Sequence, residues 1–230
     1  MIKKKINRNN FFYKFYLYYR LIYKEKIFIN KKTYSQSGED KFITSYMNKK
    51  KIFNGRYVDL GAFHPTKYSN TCLLYKSGWS GINIDLNQTS IDYFNIVRPN
   101  DKNICVAVSD KEKKRKVYIN DIFSPLNTLN KNHAKIFNFE FNYKDGYFTH
   151  TKRFNRIIKK PFDFLNIDIE GLDYEVLKTI NLNFYKPKLI CIESLNKNNL
   201  IRIKKHLLKN NYFFIKRNIT SYFFERRKQI

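Results

Sequence analysis

The chain alternates between short apolar runs and amphipathic stretches, and this alternation predicts an α/β fold. The apolar runs are typical of buried strands, whereas the stretches between them show the three- and four-residue spacing of helices. The predicted strands are residues 57–59, 81–85, 103–108, 162–171 and 187–193, with a terminal hairpin at 212–215 and 222–225. The predicted helices are residues 41–48, 69–76, 90–97, 172–180 and 198–209. Strands that alternate with helices favour a mostly parallel, Rossmann-like sheet with helices on both faces.

The N-terminal segment departs from this alternation. Residues 10–29 are aromatic and basic, and apolar side chains recur at the spacing of a helix. Such a helix can lie on an anionic membrane surface, or it can pack on its own domain or on a partner. We therefore assign residues 1–33 to a basic aromatic extension. The predicted apolar stripe consists of Phe11, Phe15, Tyr18 and Ile22.

The remainder, residues 34–230, is predicted to be one main domain that contains a variable insertion. Residues 110–160 are less regular than their surroundings, and residues 123–145 are predicted to be a loop. A segment of this length between core strands is typical of a substrate lid, although a simple surface excursion is the alternative.

Composition narrows the class of protein less than the pattern does. The 230 residues are 43% hydrophobic and 17% aromatic, so a packed core is expected, and the net charge is +26. This charge favours anionic partners such as nucleic acid, acidic glycans or lipid headgroups. Part of it reflects a general abundance of Lys, Asn, Ile, Phe and Tyr, and its wide spread along the chain weakens the nucleic-acid interpretation.

Cysteines and apolar runs bear on the location of the protein. Cys72, Cys105 and Cys191 lie far apart and form no CxxC pair, so neither a disulfide framework nor a cysteine zinc site is predicted. A reducing, cytoplasmic setting is expected. No apolar run is long enough to span a bilayer, and the N-terminus lacks the features of a signal peptide. We expect a cytoplasmic protein, with peripheral attachment to the inner membrane surface as an option.

Acidic residues follow the first two predicted strands. Asp59 is followed by Gly61, where the chain must turn, and Asp85 ends the next strand. A carboxylate at the second position suits the two hydroxyls of a ribose, so the pair indicates an adenosine cofactor. The first loop lacks the G-x-G-x-x-G spacing of pyrophosphate sites and continues with His64 and Pro65. A phosphate-free cofactor, S-adenosylmethionine, therefore fits better than NAD.

Acids also follow the later strands, at Asp168, Glu170 and Glu193. Asp168 and Glu170 would share one side of an extended backbone, and Glu193 would join them if its strand is adjacent. Clustered carboxylates can act as a general base or hold Mg²⁺ or Ca²⁺, and the alternative is that they cap the following helices.

Several polar residues near the first loop also have two interpretations. Ser35 or Ser37 is expected to cap the helix at 41–48. Ser69 or Asn70 is expected to cap the next helix, with a cofactor contact as the alternative for Asn70. His64 either faces the substrate or is structural.

Taken in order, these segments resemble the FkbM-type methyltransferase family, a branch of the S-adenosylmethionine-dependent enzymes with a class I, Rossmann-like sheet. The resemblance extends over about residues 34 to 215. The segments that carry it are residues 35–40, 57–62, 64–65, 69–71, 78–85, 98–101, 167–171 and 187–193.

The resemblance implies methyl transfer from S-adenosylmethionine to oxygen, on a glycan, a lipid-linked sugar or another small hydroxyl acceptor. It implies that Asp59, Gly61 and Ala62 line the methionine end of the cofactor and that Asp85 binds the ribose. Asp168 and Glu170, with Glu193 beside them, would face the transferred methyl group and the acceptor. The other residues that the resemblance places near the cofactor are Gln36, Glu39, Asp40, Ser109 and Asp110.

Two further functions remain open from the sequence. A nucleic-acid methyltransferase would account for the charge of +26. However, Asp168-Ile169-Glu170-Gly171 stands where an N-P-P-Y-type tetrad would be expected, and carboxylates repel phosphates. A non-catalytic, membrane-associated module that keeps the cofactor site is the other alternative, and the acids at several strand ends argue against it.

Overall fold

The structure is a computed structural model that describes residues 8, 11–27, 29–121, 123–141 and 144–227. Parts of the predicted extension (1–33), of the predicted insertion (110–160) and of the end of the predicted main domain lie outside the described residues. The strands are β1 (Arg56–Leu60), β2 (Ser80–Asp85), β3 (Lys102–Cys105), β4 (Ala107–Val108), β5 (Lys114–Ile119), β6 (Lys144–Lys152), β7 (Phe164–Ile167), β8 (Leu189–Glu193), β9 (Tyr212–Asn218) and β10 (Ser221–Arg226). The helices are α1 (Phe12–Tyr19), continued by a π-helical turn (Arg20–Lys24), α2 (Glu39–Lys49), α3 (Cys72–Lys76), α4 (Gln88–Val97), α5 (Lys131–Phe141), α6 (Phe154–Ile157), α7 (Asp173–Leu177), α8 (Leu182–Tyr185) and α9 (Lys197–Lys209).

Seven strands form the central sheet, in the order β3-β2-β1-β7-β8-β10-β9. The first five are parallel, whereas β10 is antiparallel to both β8 and β9. This order confirms the predicted α/β fold with a mostly parallel, Rossmann-like sheet. The carboxyl ends of β1, β2, β7 and β8 meet at one edge, which is where ligands bind in open α/β sheets.

Helices cover both faces of the sheet, and the side chains of β1 point alternately into the two cores that lie between the sheet and these helices. Val58 and Leu60 face the larger core, which includes Val176 of α7 and Ile203 of α9. Tyr57 faces the smaller core, beneath α2 and α3. Asp59 lies on the same side of β1 as Tyr57, because alternate residues of a strand share a face. This position directs the Asp59 carboxylate towards the chain that leads into α3.

The insertion forms a second sheet of three strands, in the order β4-β6-β5. The predicted strand over 103–108 is therefore wrong as one element, since β3 and β4 belong to different sheets. The predicted loop over 123–145 is also wrong, because it contains α5. Asn130 starts this helix: its Oδ1 accepts hydrogen bonds from the backbone N–H groups of Asn132 (3.0 Å) and His133 (3.2 Å).

The predicted serine caps are wrong as well. The residue before α2 is Gly38, in a left-handed conformation without a side-chain cap, although Ser35 Oγ accepts a long hydrogen bond from the Asp40 N–H (3.3 Å). The residue before α3 is Thr71, which also makes no side-chain cap. Ser69 instead accepts a hydrogen bond from Arg98 (2.8 Å).

Helix α1 packs on the domain by a face other than the predicted stripe. Leu17 and Leu21 are buried and form a small cluster with Tyr93 of α4. The four stripe residues are exposed instead. Within the described part of the chain, no helix combines the length and the apolar character that crossing a membrane requires.

Candidate active site

A glycine turn at the end of β1 opens the candidate site. Gly61 has φ of +78°, and its N–H donates to the Ile84 carbonyl of β2 (2.9 Å). A Cβ at this position would lie 1.6 Å from the carbonyl oxygen of Asp168. Only glycine therefore allows the end of β1 to approach the chain leaving β7 so closely. The turn brings the first loop and Asp168 to the same cavity.

That cavity has a volume of about 510 Å³, which falls within the ~300–1,000 Å³ typical of small-molecule sites. It lies above the carboxyl ends of β1, β7 and β8. Seven of the predicted site residues line it: Gln36, Glu39, Gly61, Asn70, Asp168, Glu170 and Glu193.

A narrower cavity of about 40 Å³ continues from Gly61 to Asp85. Its apolar lining includes Leu86, Val108 and Leu129, and residues 124, 125 and 127 contribute to its wall. Asp85 accepts hydrogen bonds from the N–H groups of Phe63 (3.0 Å) and Asn87 (2.6 Å). Burial raises the pKa of Asp85 to about 6, against these two hydrogen bonds, which lower it. The space is smaller than a nucleoside, so we expect the segment around residues 124–127 to move when one binds.

Three carboxylates, those of Asp168, Glu170 and Glu193, meet beside the larger cavity. One oxygen of each lies within 4.8 Å of an oxygen of the others, because β7 and β8 are parallel neighbours. The reason inferred from the sequence for pairing Asp168 with Glu170 is wrong. The strand ends at Ile167, and Glu170 adopts φ of +53°, so a tight turn rather than an extended backbone brings them together.

Burial and mutual repulsion hold protons on this carboxylate cluster. Burial raises the pKa of Asp168 well above its ordinary value, and the charges of Glu193 and Glu170 raise it further. Burial, followed by the charges of Glu170 and Asp173, raises the pKa of Glu193 to about 7. Within the described part of the chain, Asp168 Oδ1 is buried without a hydrogen-bond partner. Carboxylates so close together cannot all ionise readily near neutral pH, so these surroundings favour the protonated forms of Asp168 and Glu193.

His133 also belongs to this site. It lies in the first turn of α5, is 7% exposed, and places Nε2 3.1 Å from Oε2 of Glu170. Asn130 anchors this turn, because its Nδ2 donates to the Gly171 carbonyl (2.6 Å). Sequence reasoning missed His133 because the histidines show no ligand spacing. The available signal was Asn130, a helix N-cap three residues earlier.

Asp59 lies beneath the cavity, in a fully bonded network. It accepts hydrogen bonds from Thr71 Oγ1 (2.7 Å) and Asn166 Nδ2 (2.8 Å). Asn166 in turn accepts from Asn70 Nδ2 (3.0 Å), and Asn70 lines the cavity. Sequence reasoning also missed Asn166, although an amide within an apolar strand is a signal, since a buried polar side chain needs a partner.

Arg98 connects this network to the loop that follows β1. Its guanidinium, 1% exposed, donates to Thr71 Oγ1 (2.9 Å), to Ser69 Oγ and to the Pro65 carbonyl. This buried cation therefore holds the loop after Gly61 in place.

Five other predicted site residues lie outside the lining of the two cavities. Asp40 is buried and accepts from the Tyr34 N–H (2.6 Å) and from Thr33 and Ser35. Ala62 is buried in the turn after β1. His64 is fully buried, and burial lowers its pKa to about 3. Ser109 donates to Asp110 (3.0 Å) and accepts from Arg115 (2.6 Å) at the end of β4.

The parallel sheet with its terminal antiparallel hairpin, together with acids around a cavity at its carboxyl edge, defines a Rossmann-like protein with a nucleoside-cofactor type of site. Residues 59–214 match the model of the family described as the methyltransferase FkbM domain. The chain belongs to this family, which confirms the resemblance and supports S-adenosylmethionine as the cofactor. No curated protein matches the chain.

Several solved structures are similar in fold. The methyltransferase FkbM from Methylobacillus flagellatus KT is 14% identical with a TM-score of 0.47, and the match covers 74% of this chain and 43% of that protein. The chain therefore spans less than half of that protein's length. A TehB-like SAM-dependent methyltransferase from Corynebacterium glutamicum is 10% identical with a TM-score of 0.48, over 93% of this chain and 96% of that one. The 1,6-didemethyltoxoflavin-N1-methyltransferase of Burkholderia thailandensis is 7% identical with a TM-score of 0.43, over 84% of this chain and 80% of that one.

Proposed function

We propose that this protein transfers a methyl group from S-adenosylmethionine to a hydroxyl oxygen of a sugar, in a glycan or a lipid-linked precursor of a surface polysaccharide. The observation that carries the proposal is the cluster of Asp168, Glu170 and Glu193 at the wall of the 510 Å³ cavity. A cluster that keeps a group of pKa about 7 suits the removal of a proton from an acceptor hydroxyl.

The residues of the site suit this cofactor. Asp85 stands at the end of β2, where its carboxylate can accept from two ribose hydroxyls. The apolar side chains of Leu86, Val108 and Leu129 beyond it suit an adenine ring. Glu39, which lines the 510 Å³ cavity, suits the ammonium group of the methionine part, while Asn70 supplies an amide. When bound, S-adenosylmethionine would supply an electrophilic methyl group, to which the acceptor oxygen would bond as the carbon–sulfur bond breaks and S-adenosylhomocysteine leaves.

The carboxylate cluster would act on the acceptor. A sugar hydroxyl is a poor nucleophile, so a nearby base must take up its proton as the new bond forms. We assign this step to Asp168 or Glu193, which share a proton through their proximity. His133, through its contact with Glu170, would position that carboxylate. The buried setting also keeps competing water away from the reacting oxygen.

A third cavity, of about 420 Å³, supports the proposal of a saccharide acceptor. It adjoins the 510 Å³ cavity, because the two share four lining residues: His133, Phe137, Glu193 and Leu195. Amide side chains contribute to its wall, and Phe137 and Tyr174 add aromatic rings. Amides that hydrogen-bond hydroxyls and rings that contact the apolar face of a sugar make up a surface suited to carbohydrate. The amides are Asn130, Asn132, Asn196 and Asn199.

A divalent cation is the second use that these carboxylates allow. Oxygens within 4.8 Å of one another can share Mg²⁺ as well as a proton. The two uses predict opposite results. A bound cation would lower the carboxylate pKa values and make turnover sensitive to EDTA, whereas proton sharing predicts turnover that EDTA leaves unchanged.

The experiment that tests the function is a methyl-transfer assay with radiolabelled S-adenosylmethionine. Acceptors would be extracted glycans, lipid-linked sugars and, as a comparison, duplex DNA and structured RNA, each with and without EDTA. Label in the glycan or lipid-linked fraction, lost in Asp168→Asn, is the expected result. Label in nucleic acid alone would contradict the proposal. Calorimetric binding of S-adenosylmethionine without label in any fraction would favour a non-catalytic module.

A further inference from the structure

The N-terminal helix presents an exposed aromatic face towards the outside of the fold. Phe11 is 78% exposed, Phe12 is 65% exposed and Phe15 is 60% exposed. At 100° per residue, these side chains fall on one broad arc of the helix that contains no charged residue. A contiguous apolar surface of this kind on a soluble domain marks an interaction site. The other members of this aromatic face are Tyr16, Tyr18, Tyr19, Ile22 and Tyr23.

The opposite side of the helix is fixed to the domain. Leu17 and Leu21 pack against Tyr93, and the Tyr13 hydroxyl donates to Asp92 of α4 (2.9 Å). Arg8 makes two further hydrogen bonds to the same carboxylate (2.8 and 2.9 Å). The aromatic face is therefore presented outwards by a helix that is already docked, so it is not the unpacked core face of that helix.

Positive charge surrounds the aromatic face. Residues 1–38 contain ten Lys and Arg and a single acid, Glu25. Lys14, Lys24 and Lys26 are exposed beside the helix, as are Lys31 and Lys32 in the segment that follows. Basic side chains around an apolar surface complement a surface of anionic lipid headgroups.

We propose that the aromatic face of α1 lies in the interfacial region of an anionic lipid membrane. Phenylalanine rings enter the boundary between headgroups and acyl chains, and tyrosines favour this depth because their rings are apolar and their hydroxyls remain hydrated. A second copy of the chain is a poorer occupant, because pairing two such faces would bring two strongly basic surfaces together.

The helical segment that carries the aromatic face is also connected to the candidate site, through Arg20. The Phe123 ring lies 4.9 Å from that of Phe63 and 5.2 Å from that of Tyr93, and the Arg20 guanidinium lies 5.6 Å from the Phe123 ring. Phe63 lines the 510 Å³ cavity. Membrane attachment would thus bring the cavity near the lipid surface, although lipid binding itself does not depend on the proposed function.

Vesicle co-sedimentation of the full chain tests the proposal. Vesicles of phosphatidylcholine alone would be compared with vesicles that also contain phosphatidylglycerol, at low and high NaCl. The wild type should bind the anionic vesicles and dissociate as salt rises. The triple variant Phe11→Ser, Phe12→Ser, Phe15→Ser should bind roughly tenfold or more weakly. The matched control Phe53→Ser, Phe184→Ser removes rings that are similarly exposed elsewhere and should bind like the wild type.

Three outcomes would overturn the proposal. Absence of wild-type binding to anionic vesicles is the first, and equal binding by the triple variant and the control is the second. The third is a concentration-dependent dimer, observed by analytical ultracentrifugation, that the triple variant loses while vesicle binding persists. Because the substituted rings are exposed, circular dichroism of the triple variant should match that of the wild type. S-adenosylmethionine binding should also be measured for the triple variant, because it tests the cofactor site independently of lipid binding.

Discussion

Asp59 lies in β1 and Asp168 follows the neighbouring parallel strand β7, and burial raises the pKa of both, yet their surroundings are opposite. Asp59 receives hydrogen bonds from Thr71 and Asn166, and the buried Arg98 lies close enough to favour its charge. Asp168 has one oxygen without a partner among the described residues and faces the charges of Glu193 and Glu170. Asp59 therefore belongs to the framework of the site, whereas the surroundings of Asp168 suit a residue that exchanges a proton.

This contrast separates two roles that look identical in the sequence. Asp59 positions a cavity residue indirectly, through Asn166 and Asn70. Asp168 stands at the cavity itself, beside two further carboxylates. Asp85 is intermediate, because it lines the narrow cavity and also accepts two backbone hydrogen bonds. Substitutions at the three positions should therefore affect turnover, cofactor binding and stability to different extents.

The largest effect is expected for Asp168→Asn. On the proposed mechanism, loss of the Asp168 carboxylate from the pair that takes up the proton should reduce turnover by about 10²–10⁴-fold, with S-adenosylmethionine binding changed little. The variant should keep about the stability of the wild type at neutral pH, since burial and the neighbouring carboxylates already favour the protonated, uncharged form of Asp168. A methyl-transfer assay, calorimetric titration and urea unfolding measure the three quantities. Wild-type turnover in the variant would contradict the catalytic assignment.

Asp85→Ala should act on the cofactor. Loss of the carboxylate that suits the ribose should weaken S-adenosylmethionine binding by roughly 10–100-fold, the scale of one charge-assisted hydrogen-bonding group. Calorimetry with S-adenosylmethionine and with methionine alone gives the control, because only the former carries a ribose. Equal weakening for both ligands would show that the substitution damages the fold of the site instead.

Asp59→Asn should act on stability. The amide offers one acceptor oxygen in place of two, so either Thr71 or Asn166 loses its partner, at a cost of about 1–3 kcal/mol in the free energy of unfolding. Turnover should fall less than in Asp168→Asn. If Asp59→Asn were as stable as the wild type and as inactive as Asp168→Asn, Asp59 would belong to the chemistry, and the contrast between the two acids would be wrong.

The free energy of unfolding should also depend on pH. This effect is smaller than those of the substitutions, and the raised pKa of Glu193 determines its sign. The folded-state pKa of Glu193 lies above its ordinary value of 4.5, at about 7. The folded protein therefore binds more protons than the unfolded chain between these values, and its free energy of unfolding should fall as pH rises from about 4.5 to 7. In Glu193→Gln this slope should be reduced. A steeper slope in the variant would oppose the assignment.

The sheet was predictable because its signals are local. Apolar runs that end in acids, such as residues 82–85 and 190–193, indicate buried parallel strands without any knowledge of distant residues. The family resemblance added the order of the segments, including Arg98 and Asp101, and the structure gives both residues a framework role. Asp101 accepts hydrogen bonds from Tyr57 (2.5 Å), the Gly81 N–H (2.7 Å) and Asn83 (2.9 Å).

The candidate site was only partly predictable, because its members interact across long sequence separations. The meeting of Glu193 with Asp168 required knowing that β7 and β8 are neighbours. The contact between His133 and Glu170 depends on the path of the insertion, where the sequence predicts a loop although Asn130 caps α5. The sequence also does not show which acids receive hydrogen bonds, since the donors come from other strands and loops.

Carbon-13 NMR titration of the labelled Asp and Glu carboxyl groups tests the central claim most directly, because it requires no acceptor. The wild type should show a carboxyl resonance with a midpoint near pH 7, as the raised pKa of Glu193 indicates. That resonance should be absent from Glu193→Gln and should move to lower pH in Glu170→Gln, where one repelling charge has been removed. If every carboxyl group of the wild type titrated below about pH 5, as ordinary Asp and Glu do, the carboxylate cluster would hold no base suited to the proposed reaction.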